Sequence, residues 1–220
     1  SGEIFFENTD LLKKNNSQIK NIRGNEISMI FQDPVSSMNP FFTVRKQMQQ
    51  VLENHSQSND KNTSDNYFAD LLRDVKIEDP KRVLNSYAFQ LSGGMAQRVM
   101  ISMAMINKPK LILADEPTTA LDVTVQKTVL SIMKEVVSQK NMSMLLISHN
   151  LGVVREFADR IYVIYQGTIL EEGSTEQIFS SPGHIYTQTL LKAIPKINSS
   201  TLPNLNTANI DYLKQPKFTH

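Results

Sequence analysis

The sequence predicts an α/β fold in which a mostly parallel sheet is joined to a lobe of short helices. In the second half of the chain, short apolar runs alternate with segments of helical periodicity, which is typical of strand–helix–strand units. In the first half, segments of helical spacing follow a strand-like run with no further strand between them. With 220 residues and 40% hydrophobic content, the chain is long enough to bury the core of such a fold.

The first half supplies one main strand and the helical lobe. Gly2–Phe6 is a short strand-like run, and Glu26–Phe31 reads as a mostly buried strand that ends before Pro34. Residues 55–65 contain no apolar residue, and we expect a solvated loop there. Three segments have helical spacing: Thr43–His55, Asp65–Val75 and Pro80–Tyr87.

The second half alternates more regularly, which predicts a parallel sheet with an antiparallel edge. Two apolar runs are typical of strands buried on both faces: Leu111–Ala114 and Met142–Ile147. Helical segments are expected over Ser92–Ile106 and Leu121–Val137, and a further helix is expected after its cap at Asn150. Ile161–Tyr165 and Thr168–Leu170 flank Gln166-Gly167, which predicts a hairpin. After Pro195 the chain is rich in Asn, Ser and Thr, and a loosely held tail is expected.

Composition excludes several classes of function. The 23 basic and 22 acidic residues leave a net charge of +1, so no nucleic-acid partner is expected. The absence of Cys excludes disulfides, thiolate metal sites and thiol catalysis. No apolar run approaches the ~18–20 residues that span a bilayer, and we expect any membrane association to go through a partner.

Ser92-Gly93-Gly94 stands at the predicted start of a helix. Two glycines there expose backbone N–H groups, and the helix dipole adds about half a positive charge, which favours a terminal phosphate. Taken alone, the same three residues are also compatible with an ordinary capped helix. The complete octet, Leu91 to Arg98, is far more specific.

Two carboxylates, Asp115 and Glu116, end an apolar strand, and ligands of open α/β sheets bind at the carboxyl ends of strands. Asp115 is placed to hold Mg²⁺ through water, and Glu116 to polarise an attacking water. The alternative is a turn that uses both residues as caps.

Two further polar residues follow apolar strands. Gln32 ends the first main strand, where it can reach the metal or the water, and His149 ends a later one, where its imidazole can donate to a γ-phosphate. Either residue alone is equally a structural side chain at a strand end. Their order with the signature octet, the Asp-Glu pair and Asp122 makes chance agreement remote.

This order resembles the ATP-binding subunits of ABC transporters along residues 1–195. The correspondence covers the Q-loop, signature, Walker B, D-loop and switch motifs, which are Gln32, Leu91–Arg98, Leu111–Glu116, Asp122 and His149. Phe31–Pro40 and Pro182–Pro195 are similar to the oligopeptide/dipeptide/nickel importer branch. Departures from that branch remove no group with a chemical role, and they are Ala88, Ala96, Asn150 and Ile185.

The resemblance implies a P-loop-type, RecA-like core with a helical signature subdomain. Residues 1–32 would be an N-terminal remnant of the ATPase core, 33–98 the helical subdomain, 99–195 the rest of the core and 196–220 a disordered tail. No Gly-Lys pair of a G-x-x-x-x-G-K-[ST] phosphate loop occurs in the 220 residues, so the expectation is of an N-terminally truncated subunit.

The resemblance also implies ligands and roles. ATP and Mg²⁺ are the expected cofactors, with Asp115 and Gln32 at the metal. The catalytic residues would be Glu116, His149 and Gln32. A second set would contact nucleotide, in part that of a paired subunit: Ser92, Gly93, Gly94, Gln97 and Asp122.

The implied partners are a second ABC ATPase subunit, in a homo- or heterodimer, and integral membrane permease subunits. A solute-binding protein would act indirectly, and the location would be peripheral, at the cytoplasmic face of the plasma membrane. The helical insert around residues 33–50 would dock a cytoplasmic helix of the permease.

The function this implies is the ATP-hydrolysing subunit of an importer for peptides or nickel-type solutes. The alternative is a non-catalytic subunit that supplies its signature in trans or only docks on the permease. A DNA-repair or chromosome-associated ABC ATPase is disfavoured, because the insert has no long heptad pattern and the chain no basic face.

Overall fold

The computed structural model describes residues 2–55, 61–119, 121–193 and 212–219, with the side chains of 61–64 left aside. The chain divides into two compact units, Ser1–Ile147 and Ser148–His220. The helical lobe and the parallel sheet therefore share one unit, and the hairpin belongs to the other.

The first unit opens with a small hairpin. Strands β1 (Phe5–Phe6) and β2 (Thr9–Asp10) pair antiparallel, and the two residues between them, Glu7 and Asn8, have φ of 47° and 62°. Two-residue hairpins use this left-handed backbone because its twist matches that of the strands. Helix α1 (Asn16–Ile22) follows and is capped by Asn15.

A three-stranded parallel sheet forms the centre of this unit. Its strands are β3 (Ile27–Ile30), β4 (Leu111–Asp115) and β5 (Ser143–Ile147), in the order β3-β4-β5. The register aligns Ile30 with Ala114 and Asp115 with Ile147. All three carboxyl ends therefore meet at one edge, as the sequence predicts.

Burial on both faces, which the apolar runs predict for β4 and β5, is wrong for β5. In β4 one face is buried at Ile112 and Ala114 and the other is half-buried, whereas Leu145 and Ile147 of β5 are each 49% exposed. Strand side chains alternate between faces, so a continuous apolar run gives the same sequence signal whether one face or both are covered.

Between β3 and β4 the chain forms the helical lobe. Its helices are α2 (Pro34–Ser37), α3 (Val44–Glu53), α4 (Lys61–Asp74), α5 (Pro80–Leu84) and α6 (Gly93–Ala104). Fully buried side chains from α3, α4 and α5 build its core, among them Met48, Phe68, Leu72 and Val83. The predicted helices are confirmed with shifted ends. Of the expected loop over 55–65, residues 61–65 are helical and 56–60 lie outside the described residues.

Helix α7 (Val123–Gln139) connects β4 to β5. Asp122 begins it, because its carboxylate accepts the backbone N–H groups of Thr124 and Val125 at 3.1 and 3.0 Å. Its apolar face is buried through Val129 and Met133, and the helix packs against α6. The predicted helix is confirmed, two residues later at each end.

The second unit combines short helices with a separate sheet. Its elements are α8 (Leu151–Phe157), β6 (Arg160–Tyr165), β7 (Thr168–Ser174), α9 (Thr175–Ser180), α10 (Ile185–Ala193) and β8 (Phe218–Thr219). The predicted hairpin is β6–β7, with Gln166 and Gly167 at φ of 46° and 76°. It is not an edge of the parallel sheet, because β6 pairs with β7 and β7 with β8 in a sheet of their own.

The expectation of a loose tail over 196–220 is wrong for its last part. Phe218 pairs with Glu171 of β7, and Tyr212 packs against Tyr165 and Tyr186, with ring centroids 5.5 and 5.0 Å away. Aromatic burial and strand pairing hold these residues in spite of their polar surroundings. Residues 194–211 lie outside the described part of the chain. Among the described helices, none has the length and apolar character to cross a membrane.

Candidate functional site

Glu116 stands where β4 ends, at the carboxyl edge of the parallel sheet. Its φ is 43°, a left-handed backbone that is uncommon for a residue other than glycine. The backbone N–H of Glu116 donates to the carbonyl of Ile147, the last residue of β5, at 2.9 Å. The sheet itself therefore fixes the unusual turn that presents this carboxylate.

The structure brings Gln32 and Glu116 together, although 84 positions separate them in the chain. Gln32 Nε2 donates to Glu116 Oε2 at 3.1 Å. The hydroxyl of Thr119 donates to the same oxygen at 2.8 Å. Both predicted partners thus lie at one edge of the sheet, and Thr119 joins them without having been predicted, since a Thr within a turn carries no recognisable pattern.

Asp115 provides the carboxylate that would hold a metal. It is the last residue of β4 and is half-buried, beside Ile147 of the neighbouring strand. Because the amide nitrogen of Gln32 donates to Glu116, its amide oxygen is the atom suited to a cation. Two hard oxygen donors fit Mg²⁺, which takes most of its ligands from water and phosphate. Within the described ranges, no group of three or more His, Cys, Asp or Glu residues forms a metal cluster.

The start of α6 carries the predicted phosphate receptor. Ser92 is its N-cap, and its hydroxyl accepts the N–H of Met95 at 3.3 Å. Ser92 and Gly93 are exposed and Gly94 is half-buried, so this helix start faces solvent. Its unpaired N–H groups and the helix dipole favour an anion there.

Gly93 and Gly94 of the signature pack directly on the start of α7. A Cβ on Gly93 would meet Leu121 Cδ2 at 3.4 Å, and one on Gly94 would meet Val125 Cγ1 at 2.6 Å. No side chain fits between α6 and α7 at Gly94. The predicted signature therefore lies beside the start of α7, where Asp122 is the cap.

Gln97 is buried, unlike Ser92 and Gly93 at the start of the same helix. It is 1% exposed, and its Nε2 is buried without a hydrogen-bond partner among the described residues. Position 97 lies on the face of α6 that packs inward, next to buried Ala96, whereas Ser92 and Gly93 face outward. A contact of Gln97 with the nucleotide of a paired subunit remains a prediction.

His149 belongs to the second unit, between β5 and α8. The next residue, Asn150, caps α8 as predicted by accepting the N–H groups of Gly152 and Val153. The contribution of His149 to the Glu116 site remains a prediction.

An exposed aromatic surface, which the sequence did not single out, lies on the helical lobe. It consists of Phe41, Phe42, Tyr87 and Phe89; Phe41 is 84% exposed and Phe89 67%. Thr43 and Tyr87 pair as a β-bridge, and the rings of Tyr87 and Phe89 stack with centroids 5.6 Å apart. Exposed aromatic residues gathered in this way are typical of a protein interface.

Two family models match the chain. The ABC transporter model matches residues 1–119, and the model of the oligopeptide/dipeptide transporter C-terminal region matches residues 170–217. Together they include the Gln32, signature and Glu116 segments and, in the second sheet, residues 170–174 of β7.

Curated relatives have similar sequences. The dipeptide transport ATP-binding protein DppD of Escherichia coli (strain K12) is 45% identical over 194 residues, which is 88% of this chain and 59% of that protein. The oligopeptide transport ATP-binding protein OppD of Bacillus subtilis (strain 168) is 45% identical over 199 residues, 90% of this chain and 55% of that protein. The chain thus spans somewhat more than half the length of these relatives.

Solved structures share the fold. A dimeric post-hydrolysis structure of the ATP-binding cassette MJ0796, bound to ADP and Pi, matches with a TM-score of 0.70 and 26% identity. The match covers 80% of this chain and 74% of that one. The α/β class with a parallel sheet, predicted from the sequence, is confirmed.

Proposed function

Because the chain belongs to the ABC transporter family, we propose that it is the ATP-binding and ATP-hydrolysing subunit of an importer for peptides or nickel-type solutes. The observation that carries the proposal is the contact between Gln32 and Glu116 at the carboxyl edge of the sheet. It joins a strand-end amide to a strand-end carboxylate, which is the arrangement needed to orient a water at a phosphate. The names of the peptide-transport relatives support the cargo class.

Glu116 is the general base of the proposed reaction. Its carboxylate accepts a proton from the attacking water, and such a base contributes ~10²–10⁴-fold to a rate. Gln32 orients the carboxylate and the water, and His149 donates to the γ-phosphate. ATP would bind with Mg²⁺ at Asp115 and the Gln32 amide oxygen, where the metal neutralises phosphate charge.

The exposed helix start serves a paired subunit. Ser92, Gly93 and Gly94 offer a hydroxyl and backbone N–H groups to the terminal phosphate of a nucleotide held by the partner. Asp122 lies beside this surface and contributes to the same junction. The proposed assembly is a homo- or heterodimer of such subunits, in keeping with the dimeric MJ0796 cassette.

The aromatic surface is the proposed docking site for a cytoplasmic helix of the permease. It includes Phe41 and Phe42 of the segment that follows α2, so a shift of the docked helix is carried through α2 to Gln32. A solute-binding protein acts only through the permease. The subunit would then be peripheral, at the cytoplasmic face of the plasma membrane.

The Glu116→Gln variant tests the proposal in the full-length native subunit, assembled with its partners. The amide keeps the shape but is no base, so ATP turnover is expected to fall ~10²–10⁴-fold while ATP binding persists. Turnover is measured by phosphate release and binding by equilibrium titration. The matched control is Glu176→Gln, on the exposed first turn of α9.

Unchanged turnover in Glu116→Gln would overturn the assignment of the base. Absence of ATP turnover in the wild-type assembly would overturn the function. Chelation of Mg²⁺ is expected to abolish turnover in the wild type and in the control alike.

A second function, supply of the signature in trans without catalysis, is favoured by the exposure of Ser92 and Gly93. Nucleotide titration of the 220-residue chain distinguishes the two. A chain that acts only in trans binds no ATP alone but raises the turnover of a subunit that carries its own phosphate loop.

A further inference from the structure

Thr119 follows Glu116 by three residues and contacts it twice. Its hydroxyl donates to Glu116 Oε2 at 2.8 Å, and its backbone N–H donates to the Glu116 carbonyl at 3.3 Å. The second contact closes the turn after β4 and brings the hydroxyl back over the carboxylate. Thr119 itself is exposed, so this contact is not a consequence of core packing.

The backbone of Glu116 is already fixed by its N–H bond to Ile147. Its side chain, however, has three rotatable bonds, and long side chains lose their freedom only through contacts of their own. Two such contacts reach the carboxylate at Oε2, one from Gln32 and one from Thr119. Because a carboxylate is planar, a fixed Oε2 also sets the direction of Oε1.

The hydrogen bonds from Gln32 and Thr119 depend on different parts of the fold. Gln32 follows β3, a different strand, and stands next to α2 of the helical lobe. Its contact with Glu116 therefore depends on the arrangement of the lobe. Thr119 is part of the same turn as Glu116, so its contact persists wherever Gln32 moves.

We propose that Thr119 is a positioning residue that holds the Glu116 carboxylate in its catalytic direction, an inference that rests on the proposed function. Its hydroxyl touches neither substrate nor metal in this proposal and acts only through Glu116. Loss of the hydroxyl should therefore slow the chemical step and leave nucleotide affinity unchanged.

The kinetic test uses Thr119→Val, Thr119→Ser and wild type in the full-length assembled subunit. Valine keeps the shape without the hydroxyl, and we expect kcat for ATP to fall roughly tenfold with KM within about twofold, because misdirection affects only the reacting geometry. Serine keeps the donor and is expected to restore most of the loss. The matched control is Thr128→Val, because Thr128 is exposed and its hydroxyl donates to the Thr124 carbonyl, away from Glu116.

The split between kcat and KM, together with the rescue by serine, separates positioning from a general structural role. A merely destabilised variant would lose active protein, and serine would then restore kcat no better than valine does.

A second readout needs no activity. In a double-mutant cycle on the 220-residue chain, Thr119→Val and Glu116→Ala are expected to lower Tm non-additively, with a coupling of about 2 °C. A wild-type kcat in Thr119→Val, or additive Tm changes, would overturn the proposal. If the wild-type assembly hydrolyses no ATP, the proposed function fails, whereas the Tm cycle still reports on the contact itself.

Discussion

Asp33 directly follows Gln32 and is the N-cap of α2, so it determines how the chain passes from the end of β3 into the helical lobe. Its carboxylate accepts the backbone N–H groups of Ser36 and Val35 at 3.2 and 3.0 Å. The Ser36 backbone N–H and the Ser36 hydroxyl hold the pKa of Asp33 below its ordinary value of 3.8; burial raises it by less than either, and the Val35 N–H lowers it further. The hydrogen bonds that begin α2, next to Gln32, therefore depend on whether Asp33 is charged.

We predict a pH-dependent difference between the wild type and Asp33→Asn. A carboxyl whose pKa is lowered by folding stabilises the fold above its unfolded pKa, and that contribution disappears as the pH falls through the lower folded value. The wild-type advantage in Tm should therefore be present at pH 7 and shrink below about pH 3.8. Asn still caps a helix, so Asp33→Ala should have a lower Tm than Asp33→Asn at pH 7.

Thermal unfolding followed by circular dichroism between pH 3 and pH 7 measures these differences. An advantage of the wild type over Asp33→Asn that does not change with pH would contradict the prediction.

At single residues, sequence reasoning succeeded where a side chain stands at a strand end. Gln32 and Glu116 follow apolar runs, and strands of one sheet place their ends together. The burial of Gln97 could not be predicted, because it depends on which face of α6 packs inward. A helix that is apolar on several sides does not reveal that face. The contact of Thr119 with Glu116 was not predicted, because its hydroxyl reaches the carboxylate only when the turn after β4 has formed.

At the scale of elements, the packing of α6 on α7 depends on Gly94. Its missing Cβ leaves room for Val125 Cγ1, which would lie 2.6 Å away from an added methyl group. A β-branched side chain on a helix has one strongly preferred rotamer and cannot easily withdraw. The signature helix and the Asp122 turn are thereby held at a fixed spacing.

We predict that Gly94→Ala destabilises the first unit by about 1–3 kcal/mol, because overpacking forces a shift of α6 or of Val125. Gly93→Ala is the matched control, since its added methyl makes ordinary contact with Leu121 at 3.4 Å. Alanine is also the better helix former, so this control is expected to be neutral or slightly stabilising. Urea unfolding followed by circular dichroism gives both free energies, and equal values for the two variants would contradict the packing argument.

Elements were predictable where the pattern is local. Caps at Ser92 and Asn150 and the Gln166-Gly167 hairpin depend on neighbouring residues, and the structure confirms all three. The burial of the sheet faces was not predictable, because it depends on what packs against each face. The membership of the hairpin in a second sheet depends on β8, which follows more than forty residues later in the chain.

At the scale of the whole molecule, the chain consists of two units with different kinds of strand pairing. In the first, every pair in the central sheet is parallel and joins distant segments, such as β3 with β4. In the second, β6 and β7 are adjacent in sequence and joined by a two-residue turn. The alternation of strands and helices predicted the parallel pairing, because parallel neighbours require long crossovers.

The parallel topology described above also has a kinetic consequence. Non-local strand pairs form slowly, because the chain must lose loop entropy before contacts compensate, whereas a two-residue hairpin closes in microseconds. Backbone amides of β6 and β7 should therefore become protected from exchange earlier than those of β3 and β4 during refolding. Pulsed hydrogen exchange measures this order, and simultaneous protection of both sheets would contradict it. The contact across 84 positions between Gln32 and Glu116 would then be among the last to form, so partly folded chains would contain the hairpin before they contain the proposed catalytic pair.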